Sequence, residues 1–151
     1  MGIAQEIEVL IRAKYPILYI VSWEERRVEE MIANVCKDRK RNLHTWTVTQ
    51  GMRPEVVRTS GPAKPSALAG ELEALALIYE SADNTVFLLK DFHPYLRDPR
   101  TVRLMRDLAN RMRGKSQTLI ILAPSLNLPT DLEKEVTVVD FALPTPDEIE
   151  A

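Results

Sequence analysis

Short runs rich in apolar, β-branched and aromatic residues recur along the chain. Because such runs leave little polar surface on either face, they predict strands that are buried on both sides of a sheet. The predicted strands cover residues 17–21, 43–48, 85–89, 118–122 and 136–141. Residues 51–65 contain two glycines and three prolines and predict the one long loop of the chain.

Between these runs, apolar side chains recur at helical spacing. Four helices are predicted. The first ends before Pro16, the second follows residue 22, the third leads up to Tyr79 and the fourth begins near Pro99. Strands that alternate with amphipathic helices favour a parallel sheet covered on both faces. The fold class is therefore predicted to be α/β, a three-layer sandwich with a five-stranded, mainly parallel sheet. We expect one domain over residues 1–146 and the start of a linker at 147–151.

Composition excludes several classes of function but does not identify one. The 151 residues carry a formal net charge of −2, so no global charge draws the chain to nucleic acid or to an anionic membrane. Cys36 is the only cysteine, which excludes an internal disulfide and a cysteine metal cluster. No apolar run reaches membrane-spanning length. We expect no metal, no membrane contact and a reducing compartment.

The turn after the first predicted strand is where a parallel sheet most often binds a ligand. A phosphate-binding loop there needs glycines, a lysine and a hydroxyl, but the chain has Ser22, Trp23, Glu24 and Glu25. The spacing of Ser22 and Glu25 predicts a capping box that fills the anion site. The two glutamates repel phosphate, and Trp23 is too large for close backbone approach. We therefore expect a degenerate phosphate loop, no bound cofactor and no catalysis by this domain.

Asp91 follows the third predicted strand and resembles the magnesium-side aspartate of P-loop ATPases. The match is partial, because Lys90 precedes it and Phe92 stands where a second acid is usual. A solvated aspartate at the end of a strand is the favoured interpretation. The sequence Gly114-Lys115-Ser116 leads from a helix into a strand, so Gly114 is interpreted as a helix-terminating glycine.

Arginines dominate one face of the last predicted helix. They are Arg100, Arg103, Arg106 and Arg113. Such a stripe fits a solvated face, a docking site for an acidic protein surface, or a nucleic-acid contact in which Arg53, Arg58 and Lys64 of the long loop take part. A weaker hypothesis is an enzyme that uses Asp91 and His93, but the sequence positions no nucleophile beside them.

Residues 119–129 resemble the sensor strand of AAA+ ATPases, with Asn127 near the sensor asparagine, and residues 136–144 resemble their final strand. Four segments are more specific. Residues 15–19, 46–51, 87–94 and 136–144 are similar to the N-terminal region of one AAA+ family, known as a hypothetical reading frame of cyanobacterial and red-lineage plastid genomes.

The resemblance implies a core built like a P-loop ATPase and a place at the N-terminus of a chain several times longer. It implies that ATP and magnesium belong to a module beyond this domain. The domain itself would be non-catalytic and would serve assembly or recognition of a protein partner. The family resemblance further implies a role in regulating photosynthesis or inorganic-carbon use, in the cyanobacterial cytosol or the plastid stroma.

Overall fold

The computed structural model describes residues 3–54, 70–81 and 84–140. These residues form four α-helices and six β-strands. The helices are α1 (Ile3–Arg12), α2 (Glu25–Asp38), α3 (Glu71–Tyr79) and α4 (Pro99–Met112). The strands are β1 (Ile17–Val21), β2 (Asn42–Thr47), β3 (Gly51–Pro54), β4 (Thr85–Lys90), β5 (Gln117–Ala123) and β6 (Val136–Asp140). A 3₁₀ helix, His93–Arg97, leads from β4 to α4, and a second one, Thr130–Leu132, precedes β6.

The six strands form one sheet in the order β3-β2-β4-β5-β1-β6. All neighbouring pairs are parallel except β2 and β3. The α/β class and the mainly parallel sheet are confirmed, but the prediction of five strands is wrong. Residues 51–54, predicted as the start of a long loop, pair with β2 as an antiparallel edge strand instead.

A tight turn produces this extra strand. The backbone N–H of Gln50 donates to the carbonyl and the hydroxyl of Thr47, and Gly51 adopts a φ of 72° that favours glycine. A glycine and a nearby proline usually signal a loop, which is why the pattern concealed a short edge strand. The rest of the predicted loop, with Arg58 and Lys64, lies outside the described residues, as do Phe141 and the predicted linker.

Alternate strand residues face opposite helical layers, as the period of two requires. Tyr19, Phe87 and Ile121 pack with α3 and α4 on one face of the sheet. Leu18 and Leu88 pack with α1 and α2 on the other. The predicted three-layer arrangement is confirmed for the described residues. All the parallel strands end at one edge of the sheet, and both candidate sites lie along that edge.

Candidate functional site

A small cleft lies where β1, β4 and β5 end. Its volume is about 220 Å³, and seven residues line it. They are Ser22, Trp23, Glu25, Asp91, Leu122, Ala123 and Pro124. Two distant segments that the sequence predicted as site segments, one around Ser22 and one around Asp91, therefore meet in this cleft. Glu24 and Asn127 are not among the lining residues.

The predicted capping box is wrong. The backbone N–H of Ser22 donates to the carbonyl of Ala123 at 2.9 Å and so extends the pairing of β1 with β5. Its hydroxyl accepts from the N–H of Glu24 at 3.0 Å rather than from Glu25. Within the described chain no side chain caps α2, whose N-cap residue is Glu24. Because the sheet holds Ser22, the helix begins too late for the box to form.

The two glutamates after Trp23 take different directions. Glu24 pairs with Arg27 one helical turn on, at 3.3 Å, outside the cleft. Glu25 lines the cleft together with Asp91. The prediction that Glu24 and Glu25 both lie at this site is wrong for Glu24, and the second carboxylate that lines the cleft is that of Asp91. The Trp23 side chain is 76% exposed, so its ring projects largely into solvent rather than filling the cleft.

Lys90 is the residue here whose role the sequence did not reveal. Its ammonium lies 2.8 Å from Glu29 Oε2 and 3.8 Å from Glu25 Oε2, and its side chain is only 14% exposed. The lysine thus joins the end of β4 to the first two turns of α2. A lysine at the end of a strand usually extends into solvent, so the sequence pattern gives no sign of this contact. The packing of α2 on β4 brings Lys90 close to Glu25 and Glu29.

Asp91 lies at the strand end, as predicted. Its backbone has a φ of 56°, which turns the chain sharply out of β4. Its N–H donates to the carbonyl of Leu122 at 2.9 Å, so the turn is fixed to β5. The carboxylate is exposed at the cleft. The cleft therefore has two acids and no glycine among its lining residues, and Glu25 lies 3.8 Å from the Lys90 ammonium. The exposed carboxylate of Asp91 has the same charge sign as a phosphate.

A larger groove of about 740 Å³ lies nearby, between α4, the His93–Arg97 turn and the loop that follows β5. Its lining combines apolar and charged side chains. They are Leu96, Arg97, Pro99, Val102, Arg103, Arg106, Leu126, Asn127, Leu128, Pro129 and Asp131. Asn127, predicted near a sensor position, therefore lines this groove.

A buried tyrosine fixes the loop wall of the groove. The Tyr19 hydroxyl donates to the carbonyl of Ser125 at 2.7 Å and accepts from the N–H of Asn127 at 3.2 Å. Burial raises the pKa of Tyr19, and the hydrogen bond from Asn127 opposes that effect in part. The side-chain amide of Asn127 donates to Ser125 Oγ at 3.1 Å. The loop is thus tied to the centre of β1.

The four arginines predicted as a partner-binding stripe separate into different environments. Arg103 and Arg106 line the groove, whereas Arg100 and Arg113 do not. Arg100 pairs with Asp98, the N-cap residue of α4, and Arg103 pairs with Asp107. In the part of the chain that the structure describes, Arg106 has no acidic partner.

Arg97 of the 3₁₀ turn joins Arg103 and Arg106 in the groove, and it too has no acidic partner among the described residues. The predicted stripe does not include Arg97. Helical spacing cannot place it there, because Arg97 precedes α4 and reaches the groove through the turn after β4.

The described residues contain no group of three or more histidine, cysteine, aspartate or glutamate side chains able to hold a metal ion. None of the helices in these segments combines the length and the apolar character needed to cross a bilayer.

The fold and the two sites at the edge of its sheet together define an α/β domain with a small cleft lined by two acids and a larger groove lined by arginines. Residues 3–141 match the family described as the SpoVK-like AAA ATPase, N-terminal domain. The chain belongs to this family, which confirms the resemblance noted in the sequence.

Plastid relatives carry the same name in several algae. The chain is 33% identical over 153 residues to the "Uncharacterized AAA domain-containing protein ycf46" of Guillardia theta, covering 99% of this chain and 29% of that protein. It is 32% identical to the protein of the same name from Trieres chinensis, covering 99% of this chain and 30% of the relative. For Pyropia yezoensis the identity is 30%, with 96% and 29% covered. The chain thus spans under a third of the length of these relatives, and the catalytic module of such ATPases lies outside it.

Proposed function

We propose that this chain is a non-catalytic recognition domain at the N-terminus of an AAA ATPase and that it contributes a protein-binding surface for assembly or partner capture. The groove carries the proposal, because it gathers Arg97, Arg103 and Arg106 over an apolar floor and leaves two of them without an acidic partner. A buried tyrosine holds one wall in place, so the surface is organised before a partner arrives.

We also propose that the core is P-loop-like and has a degenerate phosphate site. Support comes from the position of the cleft after β1 and from its two carboxylates, Glu25 and Asp91. Isothermal titration of this chain with ATP and magnesium should give no measurable heat of binding. Micromolar binding that Asp91→Ala abolishes would contradict the proposal.

ATP and magnesium would then act in a module outside this domain, as the relatives' lengths suggest. The names of the relatives support an AAA domain-containing protein. We propose the cyanobacterial cytosol or the plastid stroma as its location and regulation of photosynthesis or inorganic-carbon use as its process. The domain would influence that ATPase by what it binds.

The decisive experiment uses the longer protein in which this domain occurs. Arg103→Glu/Arg106→Glu reverses two groove charges, and Arg100→Glu/Arg113→Glu reverses two charges of the same helix outside the groove. Sedimentation velocity with and without ATP should show impaired assembly only for the groove pair. Equal assembly by both variants and the unchanged protein would refute a role of the groove in self-assembly.

Nucleic-acid binding, the alternative from the sequence, has less support. Arg100 and Arg103 are paired with acids, and the described residues that line the groove include no aromatic side chain to stack on a base. Retention on immobilised nucleic acid that falls steeply with salt would favour this alternative over protein recognition.

A further inference from the structure

The groove that carries the proposed function has an apolar floor. Leu96 is buried at its base, Val102 and Leu128 are half-buried, and Leu126 is 52% exposed on the loop wall. Leucine side chains left partly in contact with water favour burial against another apolar group. A ligand that is only charged would leave this surface wet, so the ligand should carry aliphatic or aromatic side chains.

Charge on the groove is strongly asymmetric. Three arginines line it against one acid, Asp131. Arg103 is partly neutralised by Asp107 at 3.1 Å, whereas Arg97 and Arg106 have no acidic partner in the segments the structure describes. Guanidinium groups bind carboxylates with paired N–H donors in a fixed plane. The complementary ligand is therefore acidic as well as apolar.

Asn127 adds a group suited to a polypeptide backbone. Its side-chain nitrogen donates to Ser125 Oγ, which leaves the amide oxygen able to accept a peptide N–H. Since Tyr19 holds the backbone of Asn127, this acceptor has a fixed position. We infer that the groove binds a short extended segment of another protein that presents both acidic and aliphatic side chains to the groove. This inference rests on the proposed recognition function and names the chemistry of the partner.

The test uses a fluorescent peptide of about eight residues, roughly 27 Å when extended, in which pairs of glutamates alternate with pairs of leucines, so that each face carries both kinds of side chain. Fluorescence anisotropy measures its binding to this chain. Two matched peptides replace every glutamate by glutamine or every leucine by serine. A labelled single-stranded oligonucleotide completes the set. We expect the first peptide to bind at least about tenfold more tightly than either matched peptide or the oligonucleotide.

Charge-reversed variants link this binding to the groove. Arg103→Glu/Arg106→Glu should weaken binding of the peptide by about tenfold or more, and Arg100→Glu/Arg113→Glu by much less. Circular dichroism melting of both variants checks that they are folded. Raising salt from about 50 to about 300 mM should weaken the glutamate peptide several-fold and leave the glutamine peptide nearly unchanged.

Three results would overturn the inference. If both charge-reversed variants lose peptide affinity equally, the peptide binds outside the groove. If the glutamine peptide binds as tightly as the glutamate peptide, the arginines have no role in binding. If the oligonucleotide binds more tightly than the glutamate peptide, the surface is a nucleic-acid site. If the peptide fails but the groove variant still impairs assembly of the longer protein, the ligand class is wrong and the recognition function stands. If both experiments fail, both proposals fall.

Discussion

The hydroxyl of Tyr19 links the sheet to the groove, and Tyr19→Phe removes that link without changing the size of the ring. The ring is fully buried in the layer beneath α3 and α4, so the phenylalanine should occupy the same space. Two contacts are lost, the donation to Ser125 and the acceptance from Asn127. The substitution therefore isolates the hydrogen bonds from the packing.

The cost follows from these two contacts. A hydrogen bond contributes about 1 kcal/mol net, and a backbone group left without a partner costs about 1–3 kcal/mol if it stays out of water. Asn127 and Ser125 lie on an exposed loop and can recover water, which favours the lower end. We expect the free energy of unfolding to fall by about 1–2 kcal/mol, or the melting temperature by roughly 2–8 °C at this chain length.

Urea unfolding followed by the fluorescence of the buried Trp46 measures this loss, and peptide anisotropy measures the groove. The control is Tyr15→Phe, because Tyr15 is 45% exposed and its change should alter neither. Tyr19→Phe should also weaken peptide binding several-fold, since the loop wall is no longer fixed. Stability and affinity both equal to those of Tyr15→Phe would refute the argument that this hydroxyl organises the groove.

The same residue predicts a dependence on alkaline pH. Burial raises the pKa of Tyr19 above its ordinary value of 10.0, so the folded state retains the phenol proton more tightly than the unfolded state. The resulting stability is fully present below pH 10.0 and is lost as pH rises through the raised pKa. The unchanged protein should lose more stability above that pH than Tyr19→Phe does. Parallel loss in both would contradict it.

Three further changes test other parts of the structure. Burial lowers the pKa of His44 below its ordinary value of 6.5. The neutral imidazole therefore contributes stability that is present above pH 6.5 and is lost as pH falls through the lowered pKa. Urea unfolding at a series of acidic pH values should show that the stability of His44→Gln depends less on pH than that of the unchanged protein. Lys90→Met should cost about 1–3 kcal/mol in urea unfolding by leaving Glu29 without its cation, and Glu29→Gln in the same chain should restore part of the loss. Gly114→Ala should cost about 1 kcal/mol in thermal unfolding, because a φ of 78° strains any residue with a Cβ although no atom lies within 4 Å of the added carbon.

The lysine prediction has an internal control on the surface. Arg103 and Asp107 form an ion pair one helical turn apart, with side chains 68% and 39% exposed. A double-mutant cycle on this pair should give a coupling of about 0.5 kcal/mol or less, well below that of Lys90 with Glu29. Equal couplings would mean that burial does not strengthen the lysine contact.

Local patterns predicted most of the fold. Pro16 and Pro99 set a strand start and a helix start, and Gly114, with its φ of 78°, follows the end of α4 as a terminating glycine. Buried strands were recognised because their apolar side chains pack on both faces. The missed strand, Gly51–Pro54, is short and lies at the sheet edge, where turn residues conceal the signal.

The sites were harder to predict, because their geometry depends on contacts between distant segments. The Ser22–Glu25 spacing fits a capping box, but pairing of Ser22 with Ala123 of β5 determines the outcome. The spacing of the arginines in the sequence predicted the stripe on α4. That Arg103 lies in a groove depends on the loop after β5, which packs beside α4 and forms the other wall. Arg97 joins it through a turn that has no periodic signal.

The position of β1 also governs when the domain can fold during synthesis. Its two neighbours in the sheet, β5 and β6, are made roughly a hundred residues later. Until they emerge from the ribosome, the apolar side chains of Leu18 and Ile20 have only α1 and α2 to cover them. β2, β3 and β4 can pair with one another beforehand, so the sheet should close from that edge towards its centre. Because the last strands to arrive complete both the cleft and the groove, a nascent chain should acquire its binding surface only in the final step of folding.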